Sequence, residues 1–323
     1  MRRTAPGATV HSVRTGAVVG IVVLNWNGRE DTLRCLRSLE QVTYPDLVVV
    51  VVDNGSTDGS VEAIRASHPN VDVLPLGRNT GFTGGNNAGL EELQARGVDI
   101  LGVLNNDTVV TRDFLEPLVG ALENHPDAFL SPRIVYLDDP ERAWFAVATI
   151  EPYNGTVYHL TEENMPTAAR DMELRPTPAV PGCALFATRA LWERVGLFDD
   201  RYFLLLEDSD WCARALEVGA HGYVVTASTI SHAVSSSFIA SRSAAADYYY
   251  CRNGLLYLRT HGPKPGWNTY YFLKGQLITA LRALLRERSK AALRAVVARL
   301  EGILDAVLGH WSARRWYWMD TKP

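Results

Sequence analysis

Three groups of polar residues in this chain are of types that can do chemistry together. Asn105-Asn106-Asp107 follows the apolar run 100–104, Glu207-Asp208-Ser209-Asp210 comes about a hundred residues later, and His232 stands alone. An apolar run that ends in polar residues is typical of a buried strand in an open α/β sheet, and ligands collect at the carboxyl ends of such strands. Carboxylates and a histidine suit divalent-metal binding and general-base catalysis on a phosphate-bearing substrate.

Each group also has an ordinary structural explanation. Asn and Asp favour turns, so Asn105-Asn106-Asp107 can be a turn without a ligand. Asp208 and Asp210 can cap a helix and complement its dipole. A lone histidine such as His232 is more often a structural residue than a ligand. The interpretation as one site therefore depends on the three groups occurring together and in this order.

Two glycine-containing loops add to the pattern. Asp53 follows the β-branched run 47–52 and could accept hydrogen bonds from a ribose or a base, or could simply cap the next helix. The segment 78–89 carries four glycines before a helix, so its amides and Arg78 could hold an anion, or the glycines could only allow close packing. The first strand ends in Asn25 and has no G-x-G-x-x-G after it, and a P-loop is absent as well. A nicotinamide dehydrogenase is therefore disfavoured.

The elements that must position these residues alternate between strand and helix. Predicted strands are 18–24, 47–52, 71–76 and 100–104, and predicted helices are 31–39, 61–67 and 81–96. Short connections predict an α/β fold, with a Rossmann-like, doubly wound and mainly parallel sheet through about residue 125 and helices on both faces. Irregular hairpins are expected over 129–181. A strand at 183–186, helices at 189–195 and 208–218 and an extended run at 226–231 follow.

Composition places the chain among globular proteins. It has 323 residues, 47% hydrophobic and 21% charged, which is enough for a sizeable core. The four cysteines form no CxxC pair, so neither a zinc site nor a disulfide framework is expected. Free cysteines are typical of a reducing compartment, so we expect a cytoplasmic location. Residues 1–16 are interpreted as a flexible polar tail, because no secretion signal or membrane-spanning run follows them.

The C-terminal region differs in charge from the rest of the chain. Residues 252–323 carry 13 Lys+Arg and 4 Asp+Glu, whereas the remainder carries 19 and 32. Leucines and valines recur at helical spacing in two stripes flanked by arginines, among them Arg282, Arg288 and Arg294. Such helices can lie on an anionic membrane surface, which would place the protein peripherally at the inner face of the cell membrane. Packing on the body or a homo-oligomer interface is the alternative, and nucleic-acid binding ranks last.

Several segments resemble glycosyltransferase family 2, the inverting transferases with a GT-A fold, and in particular its rhamnosyltransferase-like branch. The likeness covers residues 18–234 and the stretch 248–253. The motifs that carry it are Val22-Val23-Leu24-Asn25-Trp26-Asn27, Val51-Val52-Asp53-Asn54-Gly55, Asn79-Thr80-Gly81-Phe82, Asn105-Asn106-Asp107, Gly182-Cys183-Ala184-Leu185-Phe186, Gly196-Leu197-Phe198-Asp199, Glu207-Asp208-Ser209-Asp210-Trp211-Cys212 and Tyr248-Tyr249-Tyr250-Cys251-Arg252-Asn253.

The resemblance implies a division of the chain and of its site. Residues 17–250 would form the catalytic domain, with a nucleotide-sugar half (17–125) and an acceptor half (126–250), and 251–323 a basic helical appendage. Residues implied to bind the nucleotide sugar are Leu24 and Asn25 at the base, Asp53 at the nucleoside, Arg78 and Asn79 near the phosphates, and Asn105, Asn106 and Asp107. Asp208 would be the catalytic base, with Glu207, Asp210 and Trp211 orienting it or contacting the acceptor.

A metal ion is also implied. Asp107 stands in the family's D-x-D motif and His232 resembles its third metal contact, so Mg²⁺ or Mn²⁺ is expected there. Asn105 replaces the first acid of that motif, so one negative ligand is lost. The implied reaction moves a sugar, with dTDP-rhamnose as leading donor and UDP-sugars next, to a glycan or lipid-linked glycan. A non-catalytic nucleotide-sugar-binding protein is the competing interpretation.

Overall fold

The first half of the chain forms the parallel part of one sheet. The computed structural model describes residues 16–233, 244–287 and 289–311. Strands β1 (Val19–Asn25), β2 (Leu47–Asp53), β3 (Asp72–Pro75) and β4 (Ile100–Asn105) pair in parallel in the order β3-β2-β1-β4. Helices α1 (Arg29–Leu39), α2 (Ser60–Ser67) and α3 (Gly81–Ala95) connect them. These elements agree with the prediction, because long β-branched runs between short helices leave few other arrangements.

The second half extends the same sheet with mixed pairing. Its elements are β5 (Thr108–Val110), α4 (Leu115–Asn124), β6 (Ala128–Tyr136), β7 (Ala143–Phe145), β8 (Val147–Ile150), β9 (Val157–Leu160), β10 (Leu174–Pro176), β11 (Ala184–Thr188), α5 (Arg189–Val195), α6 (Glu207–Glu217) and β12 (His221–His232). The order continues β4-β11-β6-β12-β10. Strand β11 runs antiparallel to both of its neighbours, whereas β6 and β12 are parallel to each other. A separate hairpin is formed by β8 and β9.

The expectation of irregular hairpins over 129–181 is confirmed for the β8–β9 hairpin, but it missed β6. Strand β6 is a nine-residue strand inside the sheet, and Phe129 and Ile134 on it are fully buried. Pro132 interrupts its apolar pattern and so hides the strand in the sequence. The register shifts opposite this position, where β12 changes from Val225 to Thr229. A proline is tolerated within a sheet at such an irregularity, since no ladder hydrogen bond is required of it there.

Three long helices complete the described chain. They are α7 (Ala244–His261), α8 (Pro265–Glu287) and α9 (Lys290–Leu308). The boundary expected at residue 250 falls inside α7, most of whose C-terminal half is buried. Gly302 of α9 lies so close to α7 that a Cβ atom there would come within 2.3 Å of the carbonyl oxygen of Tyr248. This close approach fixes α9 on α7. The expected N-terminal tail and the segment 312–323 lie almost wholly outside the described residues.

The two predicted apolar stripes do not face the body of the protein. Large apolar side chains are exposed along both helices, namely Leu277, Ile278, Leu281 and Leu285 on α8 and Leu293, Val297, Leu300, Leu304, Val307 and Leu308 on α9. The opposite face of α9 carries the buried Ala292, Ala298 and Ala306. Small residues thus make the internal contacts of α9. Across the described residues, no helix has both the length and the apolar character to cross a membrane.

Candidate active site

Asp107 and His232 meet at the carboxyl end of the sheet. Asp107 lies in the tight turn between β4 and β5, and His232 is the last residue of β12, which pairs with β5. The Oδ1 atom of Asp107 lies 3.0 Å from Nε2 of His232, and both residues are more than nine-tenths buried. The His232 ring packs edge-on against Trp144, with 4.8 Å between ring centres. Two residues that are 125 positions apart therefore form one polar pair.

Asp208 lies in the first turn of α6 and is held by backbone amides. The Gly182 N–H donates to its Oδ2 at 2.8 Å and the Ser209 N–H donates to its Oδ1 at 2.6 Å. A carboxylate can accept about four hydrogen bonds, so these two contacts orient Asp208 and leave acceptor capacity on both oxygens. The Phe82 ring closes the other side of Gly182, where a Cβ atom would come within 3.2 Å of it.

The segment Gly182–Cys183 joins the two acidic positions. The Asn105 N–H donates to the carbonyl oxygen of Cys183 at 2.9 Å, while Gly182 holds Asp208. Burial raises the pKa of the Cys183 thiol well above its usual range, and the negative charges of both Asp107 and Asp208 raise it further. The Gly182–Cys183 backbone thus contacts both the end of β4, two residues before Asp107, and Asp208 itself, which brings Asp107, His232 and Asp208 to the same end of the sheet.

His159 of strand β9 forms another wall of this site. Its ring lies 5.3 Å from the Trp144 ring, which in turn contacts His232. Desolvation by the surrounding protein lowers the pKa of His159, and the negative charge of Asp208 acts in the opposite direction. No sequence signal marked His159 or Trp144, because a histidine and a tryptophan in short, irregular segments have no recognisable spacing.

Glu207 and Asp208 are adjacent acids in different environments. Burial raises the pKa of Glu207 well above its usual range, and the charge of Asp208 adds to this effect. The Glu207 Oε2 atom is buried without a hydrogen-bond partner among the described residues. Both observations favour a protonated, neutral Glu207 beside Asp208.

Asp210 and Trp211 have structural positions, so their expected acceptor contact requires correction. Asp210 is 1% exposed, and its oxygens accept from Arg214 Nε at 2.8 Å and bond His261 Nε2 at 2.9 Å. Trp211 is fully buried against Trp192 and donates to the Gly196 carbonyl. An acceptor could not reach either side chain without displacing the core.

The expected nucleoside residues form a connected polar cluster. The Asn25 side chain donates to Asp53 Oδ2 at 2.8 Å and accepts from the Thr32 hydroxyl, and Ser56 N–H donates to Asp53 Oδ1 at 3.0 Å. Asn106 joins the same cluster through Thr32 at 2.9 Å. The Asp53 side chain therefore closes a local turn with Ser56, but it does not cap α2, whose N-cap position is Gly59. It still has acceptor capacity, although it is almost fully buried.

Fewer groups than expected remain available to bind the donor phosphates beside this cluster. The first amides of α3 are already used, because Gly81 N–H donates to Asn79 Oδ1 and Phe82 N–H donates to the Phe203 carbonyl. An anion at the start of this helix would have to displace them. The Arg78 side chain is exposed and has no partner among the described residues. Arg78 is thus the group on this side that remains available to a phosphate.

Leu24 and Asn105 lie at the ends of the two central strands. The half-buried Leu24 contacts Gly85 of α3 so closely that a Cβ atom there would come within 2.3 Å of it. The side chain of Asn105 is half-buried, and no hydrogen bond to it is found within the described part of the chain. Asn105 can therefore still contact a ligand.

The loop before Asp208 is held in an unusual backbone conformation by α7. Leu205 and Leu206 both have positive φ, 72° and 71°, which is costly for residues with a Cβ atom. Fully buried Asn253 donates from its amide nitrogen to the carbonyl oxygens of Leu204 and Leu205, each at 2.8 Å. Arg252 also donates to the Arg201 carbonyl at 2.7 Å. Sequence reasoning assigned no role to Asn253, although it belongs to the motif 248–253.

Comparison with known proteins identifies the family of the chain. A sequence model of glycosyl transferase family 2 matches residues 20–194. The chain is 29% identical over 241 residues to an N-acetylglucosaminyl-diphospho-decaprenol L-rhamnosyltransferase of Mycobacterium tuberculosis, covering 68% of this chain and 78% of that protein. It is 23% identical over 247 residues to the dTDP-rhamnosyl transferase RfbF of Shigella flexneri, covering 74% and 79%.

A solved structure supports the fold. The mannosyltransferase PcManGT of Pyrobaculum calidifontis, in complex with GDP-Man and Mn²⁺, superposes with a TM-score of 0.55 at 16% identity, covering 91% of this chain and 88% of that one. The fold is therefore the expected GT-A-like α/β fold, with a helical C-terminal region. The class of protein is a glycosyltransferase. The chain belongs to glycosyltransferase family 2 and is similar to its rhamnosyltransferases.

Replacing Asn253 should lower turnover by more than the accompanying loss of stability explains. In Asn253→Ala, the carbonyls of Leu204 and Leu205 lose their partner, which destabilises the fold by about 1–3 kcal/mol. The strained loop before Asp208 also loosens, and misplacement of a catalytic group by about 1 Å can lower kcat on the order of 100-fold. We expect kcat to fall while the KM for the donor changes little, as measured in steady-state kinetics.

Asn268 offers a matched control. It is also fully buried, and its amide nitrogen donates to the Tyr153 carbonyl at 2.8 Å, in the turn of the β8–β9 hairpin. Asn268→Ala should lose a comparable free energy of unfolding by urea denaturation and retain most of its kcat. Equal losses of kcat in the two variants would contradict a positioning role for Asn253.

Proposed function

We propose that this protein is an inverting glycosyltransferase that moves a sugar from a nucleoside diphosphate to a hydroxyl of a glycan or lipid-linked glycan. Rhamnose from dTDP-rhamnose is the proposed donor, ahead of a UDP-hexose, because two relatives are named as rhamnosyltransferases. The observation that carries the proposal is the arrangement of Asp208 and the Asp107–His232 pair around Gly182–Cys183. A purely nucleotide-sugar-binding protein would have no need of an oriented carboxylate at this position.

The proposed reaction is a single displacement with Asp208 as general base. The acceptor oxygen bonds to the anomeric carbon, its proton passes to Asp208, and the bond to the diphosphate breaks with its electron pair leaving on the nucleoside diphosphate. The Gly182 and Ser209 amides hold the carboxylate in place for this transfer. Burial raises the pKa of the adjacent Glu207, so Glu207 is unsuited to take the proton in place of Asp208. Attack from the face opposite the leaving group gives inversion.

Asp208→Asn should remove most of the transfer activity. An amide cannot take the proton, and general-base assistance contributes on the order of 10²–10⁴ in rate. The assay is nucleoside diphosphate release from dTDP-rhamnose, and from UDP-hexoses as a comparison, with acceptor present. Donor binding, measured by thermal shift, should be retained, because a ligand that binds the native state raises the melting temperature.

Glu217→Gln is a suitable control for that measurement. Glu217 ends the same helix, is exposed and pairs with His261 at 2.9 Å. It should transfer at nearly the normal rate. Near-normal transfer by Asp208→Asn would disprove the base assignment. Donor binding by the unmodified protein without any release would favour the non-catalytic alternative.

We further propose that Asp107 and His232 bind Mg²⁺ or Mn²⁺ together with the donor diphosphate. The two facing atoms, Asp107 Oδ1 and His232 Nε2, are 3.0 Å apart and are ligand types that both ions accept. No third histidine, cysteine or acid completes such a group within the described residues. Magnesium is commonly held by one or two carboxylates plus substrate phosphates, so these residues fit. When bound, the ion would stabilise negative charge on the leaving diphosphate.

Metal binding can be tested separately from turnover. Titration of Mn²⁺ followed by electron paramagnetic resonance, with dTDP present, should show a bound ion in the unmodified protein. The affinity should be lowered at least about tenfold in His232→Ala, the range expected when a site loses part of its ligand set. EDTA should also lower transfer, and Mn²⁺ or Mg²⁺ should restore it.

A second histidine–carboxylate pair provides the control. His68 bonds Glu40 at 2.5 Å on the helical layer formed by α1 and α2. His68→Ala should bind Mn²⁺ as the unmodified protein does. Full transfer in EDTA, or equal Mn²⁺ affinity in His232→Ala, would remove Asp107 and His232 from a metal role.

We also propose that α8 and α9 bind an anionic membrane surface, where a lipid-linked acceptor would be found. The exposed apolar face defined above is bordered by exposed Lys274, Arg282, Lys290 and Arg294. None of the acids among the described side chains of these two helices is exposed. Apolar area combined with attraction to anionic lipid is what binds an interfacial helix. A symmetric pairing of two copies through this face would instead bring like charges together.

Liposome flotation of the full chain should separate these alternatives. We expect binding to vesicles that contain phosphatidylglycerol, weaker binding to pure phosphatidylcholine, and loss of binding in Leu281→Gln/Leu300→Gln. Both leucines are at least half exposed, so the substitutions should leave the fold stable. The absence of flotation, with a dimer in sedimentation that the double variant converts to a monomer, would favour an oligomer interface.

A further inference from the structure

A cavity lies where the β8–β9 hairpin meets α7, α8 and α9. It encloses about 300 Å³, at the lower end of the range for ligand pockets. Its wall combines residues from four elements: Asn154 and Tyr158 of the hairpin, Tyr250 of α7, Tyr271 and Gln276 of α8, and Arg299 of α9. None of these residues takes part in the reaction proposed above.

Several polar groups in this cavity have no partner within the described part of the chain. They are the hydroxyls of Tyr250 and Tyr271 and the amide nitrogen of Gln276. The Gln276 carbonyl oxygen already accepts from Arg299 Nη1 at 2.9 Å, which fixes the orientation of the amide. Convergent polar groups set among aromatic rings are typical of a small-molecule site.

The cavity is electrically neutral. Arg299 Nη2 lies 2.5 Å from Asp247 Oδ1, so its charge is paired with a carboxylate. Burial raises the pKa of Tyr250 to about 12, which keeps its hydroxyl protonated. A phosphate would find no unpaired cation among the residues that line it. Tyrosine rings with planar amide groups instead suit a neutral ligand that has apolar faces and several hydroxyls, as a sugar ring does.

The cavity and the active site share strand β9. Consecutive residues of a strand point to opposite faces. Accordingly, His159 packs with Trp144 in the active site, while Tyr158 lines the cavity. The hairpin is fixed from the cavity side, because Asn268 of α8 holds the carbonyl of Tyr153 in its turn. An acceptor chain that leaves the active site over this hairpin would therefore reach the cavity.

We propose that this cavity binds a neutral sugar unit of the glycan acceptor, away from the hydroxyl that reacts. This inference rests on the proposed function, since it assigns a second contact to the same acceptor. Binding here would hold the acceptor without touching the reacting atoms. It should therefore affect the KM for the acceptor and leave kcat nearly unchanged.

The test compares hydroxyl removal inside and outside the cavity. Tyr250→Phe/Tyr271→Phe keeps both rings and removes two hydroxyls, and Tyr158→Ala removes a ring at an exposed position. Tyr270→Phe is the matched control, because Tyr270 is the exposed neighbour of Tyr271 and does not line the cavity. The probes are N-acetylglucosamine, L-rhamnose and inorganic phosphate, titrated against the full chain by saturation-transfer NMR.

At least one of the two sugars should bind, and phosphate should not compete for this site. The double variant and Tyr158→Ala should each weaken sugar binding by about fivefold or more, as expected from losing one or two hydrogen bonds or a stacking ring. Tyr270→Phe should bind it normally. Unchanged binding in the cavity variants, no sugar binding at all, or displacement of the sugar by phosphate would overturn the inference.

Transfer kinetics distinguish this inference from the proposed function. If the unmodified protein transfers a sugar and the cavity variants keep its acceptor KM, the cavity assignment fails and the proposed function stands. If no donor is turned over but sugar binding still depends on Tyr158, the cavity binds sugars and the proposed function fails. A raised acceptor KM in the cavity variants alone supports both.

Discussion

The active site depends on two consecutive peptide units, those of Gly182 and Cys183. Their segment leads into β11, which is inserted antiparallel between β4 and β6. The Cys183 carbonyl accepts from Asn105 at the end of β4, and the Gly182 N–H donates to Asp208 at the start of α6. The contact to β4 is made by backbone groups on both sides, whereas the contact to α6 ends on the Asp208 side chain. The segment therefore ties the Asp208 carboxylate to the edge of the sheet where Asp107 lies.

Charge is distributed unequally over the site. Asp208, Glu207 and Asp107 belong to the same site, but their side chains have different surroundings. Glu207 is buried without a described partner and tends to be neutral, whereas Asp208 accepts two amide hydrogen bonds and Asp107 faces His232. Hydrogen bonds to a carboxylate favour its charged form and desolvation opposes it. The three acids are thus held in different ways, and burial raises the pKa of Glu207.

The parts of this structure that sequence could predict are those with regular patterns. The parallel strands β1 to β4 follow from apolar runs, and Asp107, Asp208 and His232 follow from polar residues at the ends of such runs. Pro132 hid β6, because a proline in a strand is compatible with the fold only through an irregularity in its neighbour β12. Asp210 and Trp211 stand beside Asp208 in sequence, but the helical period turns them into the core. Asn253 was found only through its partners, since nothing in a helix sequence shows which distant carbonyls it will meet.

The C-terminal helices are better regarded as a support for the catalytic half than as a separable appendage. Asn253 of α7 holds the strained loop before Asp208, and Asn268 of α8 holds the turn of the β8–β9 hairpin at Tyr153. Both asparagines are fully buried, so each contact would leave unsatisfied carbonyls if the helices were removed. We therefore propose that no functional boundary near residue 250 separates the catalytic half from the C-terminal helices. A surface that is bound by the outer faces of α8 and α9 would then be connected, through α7, to the loop that positions Asp208, the proposed general base.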